Sequence, residues 1–324
     1  VDNNGYPDGV YSSPTLCDVD GDEDLEIIFG AWDQRIYMLD HNGNSIWNNK
    51  PQGYTGQGFL VGDSVWSTAA CVDLNRDGYK EIIIGGDITG GGVLPDGTHT
   101  DDGGYLFIFD KDGNILVRRY LNEAVYAAPA VGDLDGDGDY EIVSGTSWYW
   151  WDKHGRTDQP YVYAFDTRNV FEDQMDYFEP SKLPHLPGWP RPTDYPGFSS
   201  PALADLDNDD DLEIIIGTSH PDKQNDKIAG DGSVYAWHHT GDRVAGWPVR
   251  PTNWDNQDGP IFSSPTVSDV DGDGSPEVLF AMLWDVYVYN ANGTRQDCLS
   301  TGYNVWGSPA VGDTDGDGRP EIWI

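Results

Sequence analysis

Six short acidic segments of this chain share the pattern D-x-[DN]-x-D-x-x-x-E, and each precedes an apolar run. Alternate acids in a tight loop direct hard oxygen atoms toward one point, which suits Ca²⁺ with its roughly six to eight oxygen ligands. The pattern therefore predicts about six calcium sites. The side-chain ligands, at loop positions one, three, five and nine, are Asp18, Asp20, Asp22 and Glu26; Asp73, Asn75, Asp77 and Glu81; Asp133, Asp135, Asp137 and Glu141; Asp205, Asp207, Asp209 and Glu213; Asp269, Asp271, Asp273 and Glu277; and Asp313, Asp315, Asp317 and Glu321.

The EF-hand is the main alternative, because its loop begins in the same way. That loop needs an acid at its twelfth position. The corresponding residues here are Phe29, Ile84, Ser144, Ile216, Phe280 and Ile324. None is acidic, and the flanking segments have strand rather than helix character. EF-hand and dockerin loops are therefore excluded.

The segments around each loop predict β-strands. An aromatic residue stands seven positions before each first Asp and opens a short strand, at Tyr11, Trp66, Tyr126, Phe198, Phe262 and Trp306. After the loop, apolar runs such as residues 81–85 indicate buried strands that end at glycine. A third segment alternates with period two, as at 234–237, and pairs such as Asn42-Gly43 then favour a tight hairpin into a weaker fourth segment. Each unit is thus predicted to be a four-stranded antiparallel sheet.

The recurrence of this unit predicts a repeat architecture. Successive first acids lie 44 to 72 residues apart, and no segment has convincing helical periodicity. The expected fold is an all-β β-propeller with four-stranded blades. It forms one domain over residues 1–324, with repeats beginning near 11, 66, 126, 198, 262 and 306. Residues 86–104, 167–187 and 219–231 are predicted to be irregular insertions.

The sixth repeat is predicted to be incomplete, because its second strand stops at Trp323-Ile324. Residues 1–10 contain Gly5, Pro7 and Gly9, which suit a linker better than the missing strands. An open sheet edge invites pairing with another strand. We therefore expect a longer chain or a neighbouring molecule to complete the blade.

Composition restricts the classes of partner. The formal charge is −38, with 56 acidic against 18 basic residues, which argues against nucleic acid as a ligand. Six bound Ca²⁺ ions would leave a formal charge of about −26. No apolar run approaches the roughly 20 residues that a membrane-spanning helix needs.

Together, the loops and strands resemble the FG-GAP or VCBS-type repeat, the calcium-loop β-propeller unit also found in integrin α-subunit head domains. The resemblance implies a fifth ligand in each loop, the backbone carbonyl of position seven, at Asp24, Tyr79, Asp139, Asp211, Ser275 and Arg319. Two features depart from the family pattern. Asn75 is a neutral ligand, and Glu23 and Asp210 replace the usual glycine at position six. The first, second and fourth sites are therefore expected to bind calcium more weakly.

Three cysteines are present, at Cys17, Cys71 and Cys298. Cys17 and Cys71 directly precede the first two loops, and both a disulfide between them and two buried thiols fit this placement. The spacing matches no zinc site.

Catalytic motifs of the serine hydrolase, zinc protease and P-loop classes do not occur. The adjacent His238 and His239 would point to opposite faces of a strand, so a turn-flanking surface role is favoured over a paired ligand role. Aromatic residues at 148–151 (Trp148, Tyr149, Trp150 and Trp151) could stack on sugar or cover the outer face of a blade. Trp189 and Trp247 recur as Gly-Trp-Pro and are predicted to be packing residues.

The leading hypothesis is therefore a non-enzymatic, secreted or cell-surface calcium-binding β-propeller with structural calcium. It would act in adhesion, as a scaffold or in binding a protein or glycan ligand. Two alternatives stay open. One is a carbohydrate-active enzyme, similar to the polysaccharide lyases that carry this repeat, or its sugar-binding domain. The other is a subunit of an extracellular fibre.

Overall fold

The computed structural model describes residues 9–47, 58–91, 101–147, 160–168, 170, 183–219, 231–252 and 259–324. Within these ranges the regular elements are all β-strands, and no helix occurs. The described part of the chain therefore contains no helix that could span a membrane. Contacts divide the chain into two compact units. One is formed by 1–131, 146–158 and 166–184, and the other by 132–145, 159–165 and 185–324.

The first three repeats each form a four-stranded antiparallel sheet whose strands follow chain order. The first sheet consists of β1 (Thr15–Cys17), β2 (Glu26–Gly30), β3 (Arg35–Leu39) and β4 (Phe59–Leu60). The second consists of β5 (Ala70–Val72), β6 (Glu81–Ile88), β7 (Gly103–Phe109) and β8 (Ile115–Leu121). The third consists of β9 (Ala130–Gly132), β10 (Glu141–Gly145), β11 (Tyr161–Asp166) and β12 (Arg191–Pro192).

The last three repeats follow the same order with different strand numbers. The fourth sheet has β13 (Ala202–Ala204), β14 (Glu213–Gly217) and β15 (Val234–Trp237), and a bridge between Val234 and Val249 stands in place of a fourth strand. The fifth has β16 (Thr266–Ser268), β17 (Glu277–Met282), β18 (Asp285–Asn290) and β19 (Arg295–Ser300). The sixth has β20 (Ala310–Gly312) and β21 (Glu321–Trp323).

Two of the predicted insertions are shorter than the sequence indicated. Strands β6 and β7 pair as far as Ile88 with Gly103, so residues 86–88 and 103–104 of the predicted loop belong to the sheet. In the predicted insertion at 167–187, the Leu186 amide donates to the Ala164 carbonyl at 2.9 Å. Glycine and aspartate in these stretches suggested loops, but pairing with the neighbouring strand supplies backbone partners that local composition does not reveal.

The core lies on the second and third strands. All eight residues of β6 and all five of β14 are buried. A fully buried isoleucine or phenylalanine stabilises the fold by about 1.5 to 3 kcal/mol relative to an exposed one. The continuous burial explains why these strands read as unbroken apolar runs rather than as alternating ones.

The glycine four residues after the position-nine glutamate leaves room for the next repeat; it ends β2 at Gly30, whereas β6 continues beyond Gly85 to Ile88, contrary to the predicted strand end. A Cβ atom on Gly30 would lie 2.1 Å from the Val65 side chain, and one on Gly85 would lie 2.3 Å from Val125. Such distances are far below van der Waals contact. Glycine at this position of the second strand is therefore required by close approach of the following chain segment.

The serines before each first strand connect strands and repeats. The Ser67 hydroxyl accepts from the Gly85 amide at 3.1 Å and donates to the Ala127 carbonyl of the next repeat at 3.0 Å. One residue further along, the Ser200 amide donates to the Ser264 hydroxyl at 3.0 Å. These bonds give Ser67 and Ser200 a physical role that the sequence did not reveal.

Trp47, Trp189 and Trp247 are buried packing residues, as predicted for the last two. The Trp189 indole donates to the His239 carbonyl at 2.7 Å, and the Trp247 indole donates to the Ala291 carbonyl at 2.7 Å. Each tryptophan therefore supports the hairpin turn of the following repeat.

Cys17 and Cys71 form a disulfide bond between β1 and β5. Their Cα atoms lie 6.6 Å apart, because equivalent strands of the first two repeats are neighbours. Of the two arrangements compatible with the sequence, the structure has the disulfide. Cys298 is a free cysteine on β19.

Candidate metal sites

Each acidic loop connects the first strand of a repeat to the second. Positions one to eight form the turn, and the glutamate at position nine begins the second strand. This placement buries the glutamate side chain in the first five repeats, at Glu26, Glu81, Glu141, Glu213 and Glu277. The aspartates, in contrast, are mostly exposed or half-buried in the turn.

The position-nine glutamate is anchored in the same way in all six loops. One carboxylate oxygen, Oε2, accepts from the backbone amide of position two at 2.7 to 2.9 Å. This bond fixes the carboxylate and leaves Oε1 as the oxygen that can face an ion. The second residue of the motif thus matters for its amide, which the side-chain pattern does not show.

The aspartates at positions one and five are oriented by backbone amides of the turn. The position-one carboxylate accepts from the amide of position six in every loop, as in Gly274 to Asp269 at 2.9 Å. The position-five carboxylate accepts from the amide of position seven, as in Ser275 to Asp273 at 2.8 Å. These repeated bonds are made by protein atoms alone, so they orient the carboxylates in the same way in every loop without the help of a cation.

Two residues of each turn have a left-handed backbone. At position six, Glu23 and Asp210 have φ of 72° and 73°, near the values of 86° to 92° for the glycines of the other loops. At position four, Arg76 and Asn208 likewise take φ of 59° and 61°. The loop geometry is therefore kept where glycine is replaced, at a cost on the order of 1 kcal/mol per residue.

The donor atoms converge closely enough for one ion. Single ligand atoms of Asp18, Asp20 and Asp22 lie within 4.8 Å of one another, and so do those of Asp133, Asp135 and Glu141. In the sixth loop, Asp313, Asp315, Asp317 and Glu321 form such a group. Opposite ligands of a calcium ion lie roughly 4.6 to 5.2 Å apart, twice the usual bond length. The arrangement therefore fits a calcium ion.

In the third loop, the environment of the Asp133 carboxylate also fits a bound cation. Its Oδ2 accepts from the Gly138 amide at 3.0 Å, whereas its Oδ1 is buried and has no hydrogen-bond partner among the described residues. A buried carboxylate oxygen without a partner carries a substantial desolvation cost. Coordination of a cation would remove that cost.

Burial raises the pKa of the ligand glutamates. It raises the pKa of Glu81 to about 7, and it raises the pKa values of Glu26, Glu213 and Glu277, with the neighbouring loop aspartates adding to the effect in Glu26 and Glu277. In the exposed sixth loop the bonds from Thr314 lower the pKa of Glu321 instead. Burial therefore disfavours the negatively charged form of these carboxylates. A bound divalent cation would balance that charge.

The second loop differs at its neutral member. The Asn75 amide nitrogen donates to Glu81 Oε1 at 3.1 Å and to Asp77 Oδ2 at 3.3 Å. Amide orientation is assigned from such bonds, and rotation by 180° would direct the Asn75 oxygen toward the same point. Asn75 therefore has the position of a ligand, and its role stays a prediction.

Side chains at position seven lie against other groups. Asp24 Oδ2 lies 3.1 Å from His41 Nδ1, Asp211 Oδ2 lies 3.1 Å from His239 Nδ1, and the Tyr79 ring lies under the Lys111 ammonium. Because these side chains are engaged elsewhere, the contacts are compatible with the prediction that position seven offers its backbone carbonyl to an ion.

His238 was not predicted as a site residue, and the structure places it at the fourth loop. Its Nδ1 lies 3.0 Å from Glu213 Oε1. The prediction that adjacent histidines point to opposite faces of a strand is wrong, because β15 ends at Trp237 and His239 also contacts the fourth loop, with its Nδ1 3.1 Å from Asp211 Oδ2. The strand-pairing register carries the missing signal, because Trp237 pairs with Ile214, next to Glu213.

Aromatic residues at the start of successive repeats lie against one another within each unit. In the first unit the Trp66 ring lies 5.1 Å from those of Tyr11 and Tyr126, measured between centroids. In the second, the Phe262 ring lies 5.6 Å from Phe198 and 5.1 Å from Trp306. The aromatic residues at 148–151 lie outside the described residues.

Residues 18–84 match the family model of the FG-GAP-like repeat. This range includes the first two acidic loops, and the match confirms the predicted resemblance there. No curated protein matches the chain.

Solved structures resemble the chain in fold. The Pseudomonas aeruginosa PilY1 C-terminal domain aligns with a TM-score of 0.56 and 14% identity, over 96% of this chain and 81% of that one. The exotype rhamnogalacturonan lyase YesX aligns with a TM-score of 0.51 and 17% identity, over 96% of this chain, which spans 55% of the lyase. With the antiparallel sheets described above, the predicted all-β β-propeller fold is confirmed. At these identities the likeness shows the fold alone.

Proposed function

We propose that this chain is a calcium-binding β-propeller module of a secreted or cell-surface protein, in which calcium is structural and the surface binds a protein or glycan. The supporting observation is that all six loops repeat one hydrogen-bonded framework of a glutamate, buried in the first five, and oriented aspartates. Such repetition favours a common structural role. A catalytic metal, by comparison, usually keeps a position open for substrate.

Two observations support the extracellular setting. The first two repeats are joined by a disulfide, and disulfides persist mainly in oxidising compartments. Calcium sites of extracellular modules work at about 0.1 to 1 mM, so even weak loops would be filled there.

Calcium binding by the purified chain tests the metal part of the proposal. Elemental analysis after dialysis against millimolar calcium is expected to give about six Ca²⁺ per chain and no zinc. Titration of the metal-free protein should resolve weaker sites from the first, second and fourth loops. Fewer than three calcium ions per chain would refute the proposed role.

Carbohydrate binding is a second candidate for the surface, with a specific observation in its favour. Tyr11 and Trp32 are stacked at 4.3 Å between ring centroids and are 61% and 38% exposed. Exposed aromatic rings can stack on the faces of sugars. YesX, one of the proteins with this fold, is a rhamnogalacturonan lyase.

A glycan array separates the two ligand classes. If the surface binds sugar, the chain should give a signal on the array with acidic or neutral polysaccharides, and a Trp32→Ala variant should lose that signal. Trp284→Ala is the control, because it removes another exposed tryptophan and should keep the signal. An array without signal would favour a protein ligand. Release of unsaturated sugar from rhamnogalacturonan would instead indicate a lyase and contradict a purely binding role.

A further inference from the structure

The residue that follows the third strand differs in the fourth repeat. In the first two repeats it is an aspartate that holds the hairpin turn. Asp40 accepts from the Asn44 amide at 2.8 Å, and Asp110 accepts from the Asn114 amide at 2.7 Å. In the fifth repeat it is Asn290, which donates to the Thr294 hydroxyl at 3.0 Å. The residue at this point usually belongs to the turn.

His238 occupies that position in the fourth repeat and turns toward the acidic loop. The turn itself is closed without the imidazole, because the His238 amide donates to the Asp242 carbonyl at 2.9 Å and the Gly241 amide donates to the His238 carbonyl at 2.8 Å. The side chain is thus available for a different task, and it is only partly exposed, at 27%.

The imidazole lies among the ligand atoms of the loop. A ring nitrogen of His238 and carboxylate oxygens of Asp207 and Asp209 lie within 4.8 Å of one another. Asp207 also belongs to a second such group with Asp205 and Glu213. The two groups share Asp207, and His238 Nδ1 also lies 3.0 Å from Glu213 Oε1 of the second group, so the imidazole is adjacent to both. A separation of up to 4.8 Å within each group is the span expected for ligands of a single ion with metal–ligand distances of roughly 2.0 to 2.6 Å.

A nitrogen donor changes which ion such a loop prefers. Calcium is a hard cation that takes oxygen ligands, whereas imidazole suits first-row transition ions such as zinc. The ligand groups identified among the described residues of the first, third and sixth loops contain carboxylates alone. The fourth loop therefore differs chemically from these three.

We infer that His238 is a direct ligand in the fourth loop and that this site selects a divalent first-row transition ion over Ca²⁺. The inference rests on the proposed function, because it assumes that the acidic loops bind cations. It assigns a mixed role to the module, with calcium in the oxygen-only loops and a transition ion at Asp205, Asp207, Asp209, Glu213 and His238.

Co²⁺ is a suitable probe, since its visible absorption and its paramagnetic effect on imidazole protons report nitrogen ligation. The full chain would be saturated with Ca²⁺ and then titrated with Co²⁺, while released Ca²⁺ is measured. We expect one Co²⁺ to bind tightly and displace one Ca²⁺ at most. Proton NMR should show the paramagnetic shift of one imidazole, and His238→Gln should weaken this binding at least tenfold.

His239→Gln is the matched control, because His239 is the adjacent imidazole and contacts the Asp211 side chain instead. It should leave Co²⁺ affinity unchanged. The inference is overturned if His238→Gln binds Co²⁺ as tightly as the unaltered chain, if both variants lose it equally, or if no imidazole shifts. The last outcome, with calcium affinity reduced by His238→Gln, would make His238 a residue that only orients Glu213. A chain that binds neither Ca²⁺ nor Co²⁺ would refute the proposed function itself.

Discussion

At the scale of single residues, the position-nine glutamate connects the fold to the metal site. It is buried at the start of a central strand, and one of its oxygens is committed to the backbone of its own loop. The other oxygen carries charge into a region where burial already raises the pKa of the group. A cation is the partner that makes this arrangement favourable, so loss of the glutamate charge should affect metal binding and stability together.

Glu26→Gln is predicted to remove the first calcium ion. The amide can still accept from Val19, but the ligand charge is lost. At a calcium concentration a hundredfold above Kd, loss of one site costs on the order of 2.7 kcal/mol of unfolding free energy. Chemical denaturation with and without calcium measures this difference. Glu23→Gln is the control, because Glu23 is exposed at position six, and an equal loss there would contradict the ligand assignment.

Asp210→Gly is predicted to stabilise the chain by about 1 kcal/mol, because Asp210 has φ of 73°, where a side chain is strained and glycine is not. Arg76→Gly is the comparison at φ of 59°, since arginine is rarer in this conformation than aspartate and a gain at least as large is expected there. Thermal denaturation in excess calcium compares the two variants. A destabilised Asp210→Gly would mean that the carboxylate has a role beyond the turn.

At the scale of elements, each repeat is held to the next by contacts of a few recurring kinds. Serine hydroxyls connect neighbouring first strands, tryptophans support the following turn, and glycines admit the side chains of the adjoining segment. In the first unit a covalent bond between β1 and β5 is added to these contacts. Its contribution can be isolated because the third cysteine is free.

Removal of the disulfide by the paired change Cys17→Ser and Cys71→Ser is predicted to destabilise the first unit. The bond closes a loop with a sequence separation of 54 residues, and the loop-closure entropy gives a stabilisation of roughly 4 kcal/mol. Denaturant unfolding with and without a reducing agent would measure it. Cys298→Ser should be nearly neutral, and equal stability of reduced and oxidised protein would contradict a structural disulfide.

At the scale of the whole molecule, the dominant quantity is the formal charge of −38. Much of the acid lies in six loops whose carboxylates are held close together by backbone amides. Without cations these groups repel one another, which lowers the stability of the compact state. Bound calcium would act on every repeat at once.

Calcium removal by EDTA is therefore predicted to lower the melting temperature sharply, and addition of calcium in excess of the chelator should restore it. Each filled site contributes on the order of 2.7 kcal/mol at a hundredfold excess over Kd, before the relief of repulsion is counted. Differential scanning calorimetry measures the shift. Magnesium added at the same ionic strength is the control for simple screening. A melting curve unchanged after confirmed metal removal would contradict a structural role for the ion.

The sequence by itself determined the repeats, the acidic loops and the order of the strands. These features are local, because ligand spacing within nine residues, apolar runs and turn pairs act over short distances. The same is true of the glycines in the second strands, although only the structure names Val65 and Val125 as the side chains that require them. The left-handed backbone at Arg76 was not visible in a residue type that usually avoids it.

Only the tertiary structure decided which distant residues meet. It joined Cys17 to Cys71, extended β6 and β7 into a predicted loop, and brought His238 beside Glu213. Each of these depends on the register between strands far apart in the chain, and one residue of slip would turn the His238 side chain to the opposite face. Register is set by the burial of whole sheets against one another, so it is a property of the packed molecule rather than of any short segment.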